Sequence, residues 1–288
     1  MGNNIQGKNK NGMMKSGLLF IVLSLFFSQA AIAQDEVTAD TLKSNYKLLF
    51  ELQLNTLHFT TDKLQNIYYI SKNNEIVKLK PDGSEQFRFI NKTIGNPTYL
   101  DATNPFNLLL FYPDYQTVLT LDRTMNLAGQ FNLFELGLFG VGAVGMAGDG
   151  HLWLYDMVDF RLKKIGKEGQ VIVQSADLSL ELNRSVSPNF VLERNQRVYV
   201  NDPEMGILVF DVFGKYLKTI PILALEEFQV LGEELLFCEN GKMQSFHLVT
   251  LLQTPIRLPV GATADDLIQV QKDRLYILND NVLKIYQL

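Results

Sequence analysis

GDGHLWLYDMVDFRLKKIGKEGQ, residues 148–170, is the stretch on which the fold turns. A Gly/Asp turn opens it, the short apolar run HLWLYD follows, a polar loop leads to RLKKIG, and Glu168-Gly169 marks another hairpin turn. The apolar run recurs along the chain as NIYYIS from Asn66, NLLLFY from Asn107, HLWLYD from His151, RVYVND from Arg197, ELLFCE from Glu234 and RLYILN from Arg274. The intervals are 41, 44, 46, 37 and 40 residues. A period in the low forties is that of a four-stranded propeller blade.

The flanks supply the other strands. Before each copy lies an apolar stretch ending in turn residues: HFTTDKLQ, YLDATNPF, GMAGDG, FVLERNQ, FQVLGEE and IQVQKD. After it lies EIVKLK, TVLTLD, RLKKIG, GILVFD, KMQSFH or VLKIYQ. A further hairpin turn at Asp82-Gly83, Met125-Asn126, Glu168-Gly169 and Phe213-Gly214 leads to a fourth strand in four blades. Residues 274–288 supply the sixth copy and its third strand but no fourth, whereas YKLLFELQL at 46–54 alternates as a strand and precedes the first blade. The pattern therefore predicts an all-β, six-bladed β-propeller of four-stranded blades over residues 46–288. The N-terminal strand is expected to pair into the C-terminal blade and close the ring, which removes exposed edges. A parallel β-helix has shorter rungs and a sandwich no fixed interval; five or seven blades are the neighbouring solutions.

Residues 1–33 read as a secretory signal peptide: Lys8, Lys10 and Lys15 carry its only charges, GLLFIVLSLFF spans 17–27, and Ala31-Ile32-Ala33 precedes a cleavage point before Gln34. Eleven apolar residues fall short of the roughly 20 that cross a bilayer. Met13 and Met14 are alternative starts to Met1, and residues 34–45 read as a flexible mature N-terminus. The full chain has a net charge of −5, and loss of three lysines takes the mature chain to about −8. Nucleic acid is not expected as a partner. The single cysteine, Cys238, excludes an intramolecular disulfide and reads as a small core hydrophobe. These features point to export into a bacterial periplasm, with no transmembrane segment in the mature chain and peripheral association through a partner open.

Once aligned, residues 148–170 resemble the NHL family of propeller repeats, with a Gly-bearing turn, a strand ending in Asp and a basic third strand. NIYYISKNNEIVKLKPDG and RVYVNDPEMGILVFDVFGK match less fully, and blade five lacks the Asp and the Gly-bearing final turn. The resemblance implies blades rather than a chemistry. Asp156 and Asp202 fit a structural role, accepting bonds from loop amides, and Trp153 fits inter-blade packing.

Catalytic motifs are scarce. His58, His151 and His247 fall at non-equivalent positions, and no HExxH, GxSxG or P-loop occurs. Resemblance to gluconolactonase-like propellers would imply a divalent metal over the channel, for which the nearest candidates are Asn189, Glu227, Asp265 and Asp266, all equally ordinary loop residues. No cofactor is expected.

The loops joining second to third strands and successive blades share one face. They carry Tyr112, Asp114, Tyr115, Asp156, Asp159, Phe160, Asp202, Glu204 and Met205, a mixture suited to an interface or to a solvated rim. FNLFELGLFGVGAVG at 131–145 is expected to be the longest irregular connection on that face. It would either plug the channel or present Leu133, Phe134, Leu136, Leu138 and Phe139 to a partner. The leading expectation is a non-enzymatic protein-interaction module or accessory scaffold of a cell-envelope assembly, its partner an envelope protein. A metal-dependent lactonase-like or lyase-like enzyme, and a binder of carbohydrate or peptidoglycan fragments, are the alternatives.

Overall fold

The computed structural model of the protein describes residues 46–56, 58–263 and 266–288. The signal peptide and residues 34–45 lie outside the described residues, as does Asp265. Blade one is β2 to β5 (Phe59–Thr61, Ile67–Ile70, Ile76–Leu79, Glu85–Phe89) and blade two β6 to β9 (Tyr99–Asp101, Asn107–Tyr112, Thr117–Asp122, Leu127–Asn132). Blade three is β10 to β13 (Val141–Met146, Leu152–Asp156, Arg161–Ile165, Val171–Gln174) and blade four β14 to β17 (Phe190–Arg194, Arg197–Asp202, Gly206–Asp211, Tyr216–Ile220). Blade five is β18 to β21 (Gln229–Leu231, Glu234–Glu239, Lys242–His247, Gln253–Pro255). Blade six joins β22 to β24 (Leu267–Gln271, Arg274–Asn279, Val282–Gln287) to β1 (Lys47–Gln53). The architecture is a six-bladed propeller of four-stranded antiparallel sheets.

Ring closure follows the sequence expectation. Strand β1 runs antiparallel to β24 from Lys47 opposite Gln287 to Gln53 opposite Val282, with an irregularity between Leu48 and Phe50. Beyond it, the Leu54 amide donates to the Asn281 carbonyl at 2.7 Å. Phe50 and Leu52 then pack on the apolar cluster shared by Phe59, Ile67 and Val77 of blade one and Tyr276, Leu283 and Ile285 of blade six. The N-terminal strand thus bonds to the last blade and wedges it against the first.

Middle strands are buried on both faces because each blade is sandwiched between two others, which is why they read as continuous apolar runs. In β11, Leu152–Asp156, every residue is buried, whereas residues of β1 are mostly exposed. The core is a circle of inter-blade clusters rather than one centre. Trp153, Tyr155 and Leu162 of blade three meet Val191, Val198, Leu208 and Phe210 of blade four, each large side chain contributing about 1.5–3 kcal/mol of burial.

Two features differ from the sequence expectation. Residues 131–145 are not one irregular connection: Phe131 and Asn132 end β9, Val141 begins the inner strand β10, and only 133–140 is loop. Leu133 and Leu138 are buried between blades two and three, and Leu136 lies over Gly169, whose lack of a Cβ leaves room for it. These leucines therefore pack the blades and are not available to a partner. The longer connection is 175–189, which holds a short helix, α1 (Leu178–Leu182), whose N-cap Asp177 accepts the amides of Ser179 and Leu180. The fourth strand expected of every blade is reached in blade five by a turn without the Gly-bearing signature, in which His247 Nδ1 accepts the amides of Val249 at 3.2 Å and Thr250 at 3.1 Å. Asp122 and Asp211 do the same at the equivalent turns of blades two and four.

Candidate functional site

Loops between second and third strands bond directly to the loops that enter the blades, either their own or the next. Asn74 Nδ2 donates to Asn96 Oδ1 at 2.5 Å, the Met157 amide to the Gly140 carbonyl at 2.8 Å, and the Ala224 amide to the Pro203 carbonyl at 2.7 Å. The face is consequently a connected surface rather than a set of separate tips.

Its acidic residues serve mainly the loops themselves. Asp156 is buried and accepts from the Val158 amide at 2.9 Å and Lys163 Nζ at 2.7 Å; Asp159 also pairs with Lys163, at 2.6 Å. Buried Asp202 accepts from the amides of Glu204, Met205 and Ser187. Tyr112 lies in the core of blade two, and burial pushes its phenol up to about 12. Met205 packs against the cluster between blades three and four, and Phe160 is half-buried at a left-handed φ of 56°. Asp114 and Tyr115 sit in a 3-10 turn over Gly95, with Tyr115 exposed, while exposed Glu204 lies 3.6 Å from Arg184.

Phe134 and Phe139 lie in the 133–140 loop with ring centroids 6.3 Å apart. The next residue, Gly140, contacts the Val158 side chain and the Met157 Cβ, and the Met157 thioether lies over Gly142. Phe134, Phe139, Met157 and Val158 are 44, 65, 37 and 63% exposed, and together they make an apolar patch built from the loop entering blade three and a turn within that blade. Met157 and Val158 were not singled out in the sequence. Their signal, an apolar pair replacing polar residues at a blade turn, is visible only once the turn is placed.

Within the ring, the inner strands surround a cavity of ≈ 60 Å³ lined by His58, Tyr99, Asp101, Arg194, Glu227 and Gln269, with Phe190 and Phe228 among its apolar walls. Burial raises the Glu227 carboxyl above its ordinary value, His58 opposing and Glu226 adding to the shift. The other weak metal candidates are engaged elsewhere. Asn189 donates to the Glu226 carbonyl and accepts from Asn201, and Asp266 accepts from Thr263 and Asn279. No three His, Cys, Asp or Glu side chains converge as a metal site among the described residues. A second cleft of ≈ 340 Å³ lies between blades two and three, lined by Phe106, Thr120, Gly129, Phe131, His151 and Lys167.

Trp153 is fully buried, with Nε1 donating to Glu193 Oε2 and Lys164 Nζ 5.2 Å from its ring centre. Cys238 is half-buried against the cluster between blades five and six. No helix among the described residues is long and apolar enough to cross a membrane.

No protein-family profile and no curated protein matches the chain, so the NHL likeness stays at the level of single blades. Solved structures do match. A streptogramin B lyase superposes with a TM-score of 0.58 at 16% identity, covering 83% of this chain and 87% of that one. The WD40 domain of Neurospora crassa Pan2 gives 0.61 at 8% identity, covering 85% and 96%. BamB from Moraxella catarrhalis gives 0.51 at 10% identity, covering 85% and 98%. Lyase, WD40 domain and BamB share the propeller with this chain, and at these identities the likeness extends to the fold alone.

Proposed function

We propose that this protein is an exported, non-enzymatic interaction module of the cell envelope, docking a partner protein through the apolar patch of Phe134, Phe139, Met157 and Val158. The observation that carries this reading is the patch itself: four large apolar side chains are exposed side by side on a surface whose acidic residues are otherwise engaged in loop bonds. Two rigid aromatics at its centre supply anchors of the kind that dominate interface energetics. Exposed Glu135 beside Phe134, and the charge of about −8 expected for the mature chain, favour a partner whose apolar anchors are flanked by basic groups. Replacing Phe134 and Phe139 with Ser tests it: partner co-purification should be lost with the melting temperature unchanged, whereas a large loss of stability would show that the loop is core.

The lactonase-like or lyase-like alternative draws on Glu227, whose raised carboxyl beside His58 has the character of a general acid or base. Metal analysis of purified protein separates the two: a stoichiometric divalent ion favours the enzyme. A carbohydrate platform draws less support, since stacking needs exposed rings and of Tyr112, Tyr115 and Phe160 only Tyr115 is exposed.

A further inference from the structure

Arg194 ends the inner strand β14 and lines the central cavity. Its surroundings hold two carboxylates and several amides, yet no hydrogen bond or ion pair reaches its guanidinium among the described residues. Asp101 and the glutamines nearby are already engaged, whereas the Glu227 carboxylate takes no hydrogen bond among the described residues. Asp101 accepts the Thr103 amide at Oδ1 and the Met146 amide at Oδ2, both at 2.7 Å, tying the inner strand of blade two to that of blade three. Gln229 and Gln269 bond to each other, and Gln271 donates to the Thr61 carbonyl, stitching blades five, six and one. Tyr99 stands beside Arg194 with its ring edge-on to Phe190 at 5.9 Å, and its hydroxyl likewise has no protein partner among the described residues.

Arg194 is half-buried, and a cation that faces a cavity without a protein acceptor is a ready partner for an anion entering that cavity. Burial depresses the Arg194 pKa, with Asp101 and Tyr99 working against that shift, and a guanidinium remains charged throughout the physiological range. Its planar fork of donors matches a carboxylate. The cavity, ≈ 60 Å³, has room for about four to six water-sized groups, which suits acetate or propionate and excludes a sugar. A single positive charge flanked by Asp101 and Glu227 favours a monoanion, since a phosphate dianion would meet both carboxylates. The walls of Leu192, Phe190 and Phe228 suit a short alkyl chain.

We propose that the central channel binds a short-chain monocarboxylate, its carboxylate held by the Arg194 guanidinium and the Tyr99 hydroxyl and its alkyl end against Phe190 and Phe228. This site is independent of the docking patch, which lies on loops outside the channel lining.

The test is calorimetric titration of the purified mature protein with propionate, its neutral isostere propionamide, and inorganic phosphate. Saturable propionate binding is expected, with propionamide and phosphate each at least about tenfold weaker. Arg194→Met should weaken propionate binding by about ten- to a hundredfold without lowering the melting temperature of the ligand-free protein, since the side chain makes no hydrogen bond or ion pair that the substitution would break. Tyr99→Phe, which removes only one hydroxyl, should weaken it by several-fold and serves as the deciding variant if Arg194→Met does not fold. No saturable binding, equal binding of propionamide, phosphate binding as tight as propionate, or unchanged affinity in whichever variant is folded overturns the proposal.

Discussion

Trp153 of blade three and Glu193 of blade four are clasped at 2.5 Å through the indole Nε1 and carboxylate Oε2, and the other oxygen of Glu193 takes the Gly148 amide at 3.0 Å. One side chain thus satisfies two donors across a blade boundary that also carries a large apolar cluster. Glu193→Ala should lower stability by about 1–3 kcal/mol, because the buried indole N–H loses its acceptor. Glu193→Gln, which keeps an acceptor oxygen, should recover part of the loss, and denaturant unfolding of both variants measures the difference.

Closure by β1 makes a stronger demand, since the last blade depends on it for its outer strand. Deleting residues 46–54 bares the β24 edge and removes Phe50, Leu52 and Leu54 from the seam between blades six and one. The expected result is loss of the single cooperative transition in calorimetry together with soluble oligomers in light scattering. An unchanged, monomeric melting profile would show that the ring does not need this strand.

Glu227 gives the account a pH signature. Its carboxyl is raised above the ordinary 4.5 by burial, so the folded state holds its proton more tightly than the unfolded state does. Its contribution is therefore most favourable below that ordinary value and is lost as pH rises through the raised folded value. Glu227→Gln should melt with wild type at about pH 4 and increasingly above it as pH rises through the raised value and the wild-type carboxyl ionises. Thermal melts of the two proteins across that range read the crossing directly.

His247 offers a local test of turn chemistry. Its Nδ1 takes two amides as Asp122 and Asp211 do at their turns, so His247→Asp should hold stability while His247→Ala lowers it by about 0.5–1.5 kcal/mol. Urea unfolding midpoints distinguish the three proteins.

Much of the fold was legible because a blade repeats its own grammar. The second and third strands expected at 107–112 and 117–122 are β7 and β8 residue for residue. The closing strand was legible because 46–54 alternates while 274–288 supplies only part of a blade. What escaped had no local signature. The fourth strand of blade five is three residues long and its turn uses His247 in place of the usual Asp. Leu133 and Leu138 looked like a loop's apolar display because apolar composition does not say whether a segment folds inward. Arg194 and Tyr99 are separated by nearly a hundred residues and meet only because inner strands of blades two and four face one channel. Met157 and Val158 join Phe139 only in the folded chain too, through a contact between the loop entering blade three and a turn within that blade.

Docking of a partner on the patch of Phe134, Phe139, Met157 and Val158 is open to direct capture. A photo-crosslinking phenylalanine analogue placed at Phe139, at Val158 and, as a control, at exposed Phe213 in a third-to-fourth strand turn of blade four tests it in intact cells. The account expects the first two positions to capture the same protein and the third to capture none. No adduct at Phe139 and Val158, or the same adducts from Phe213, would contradict it.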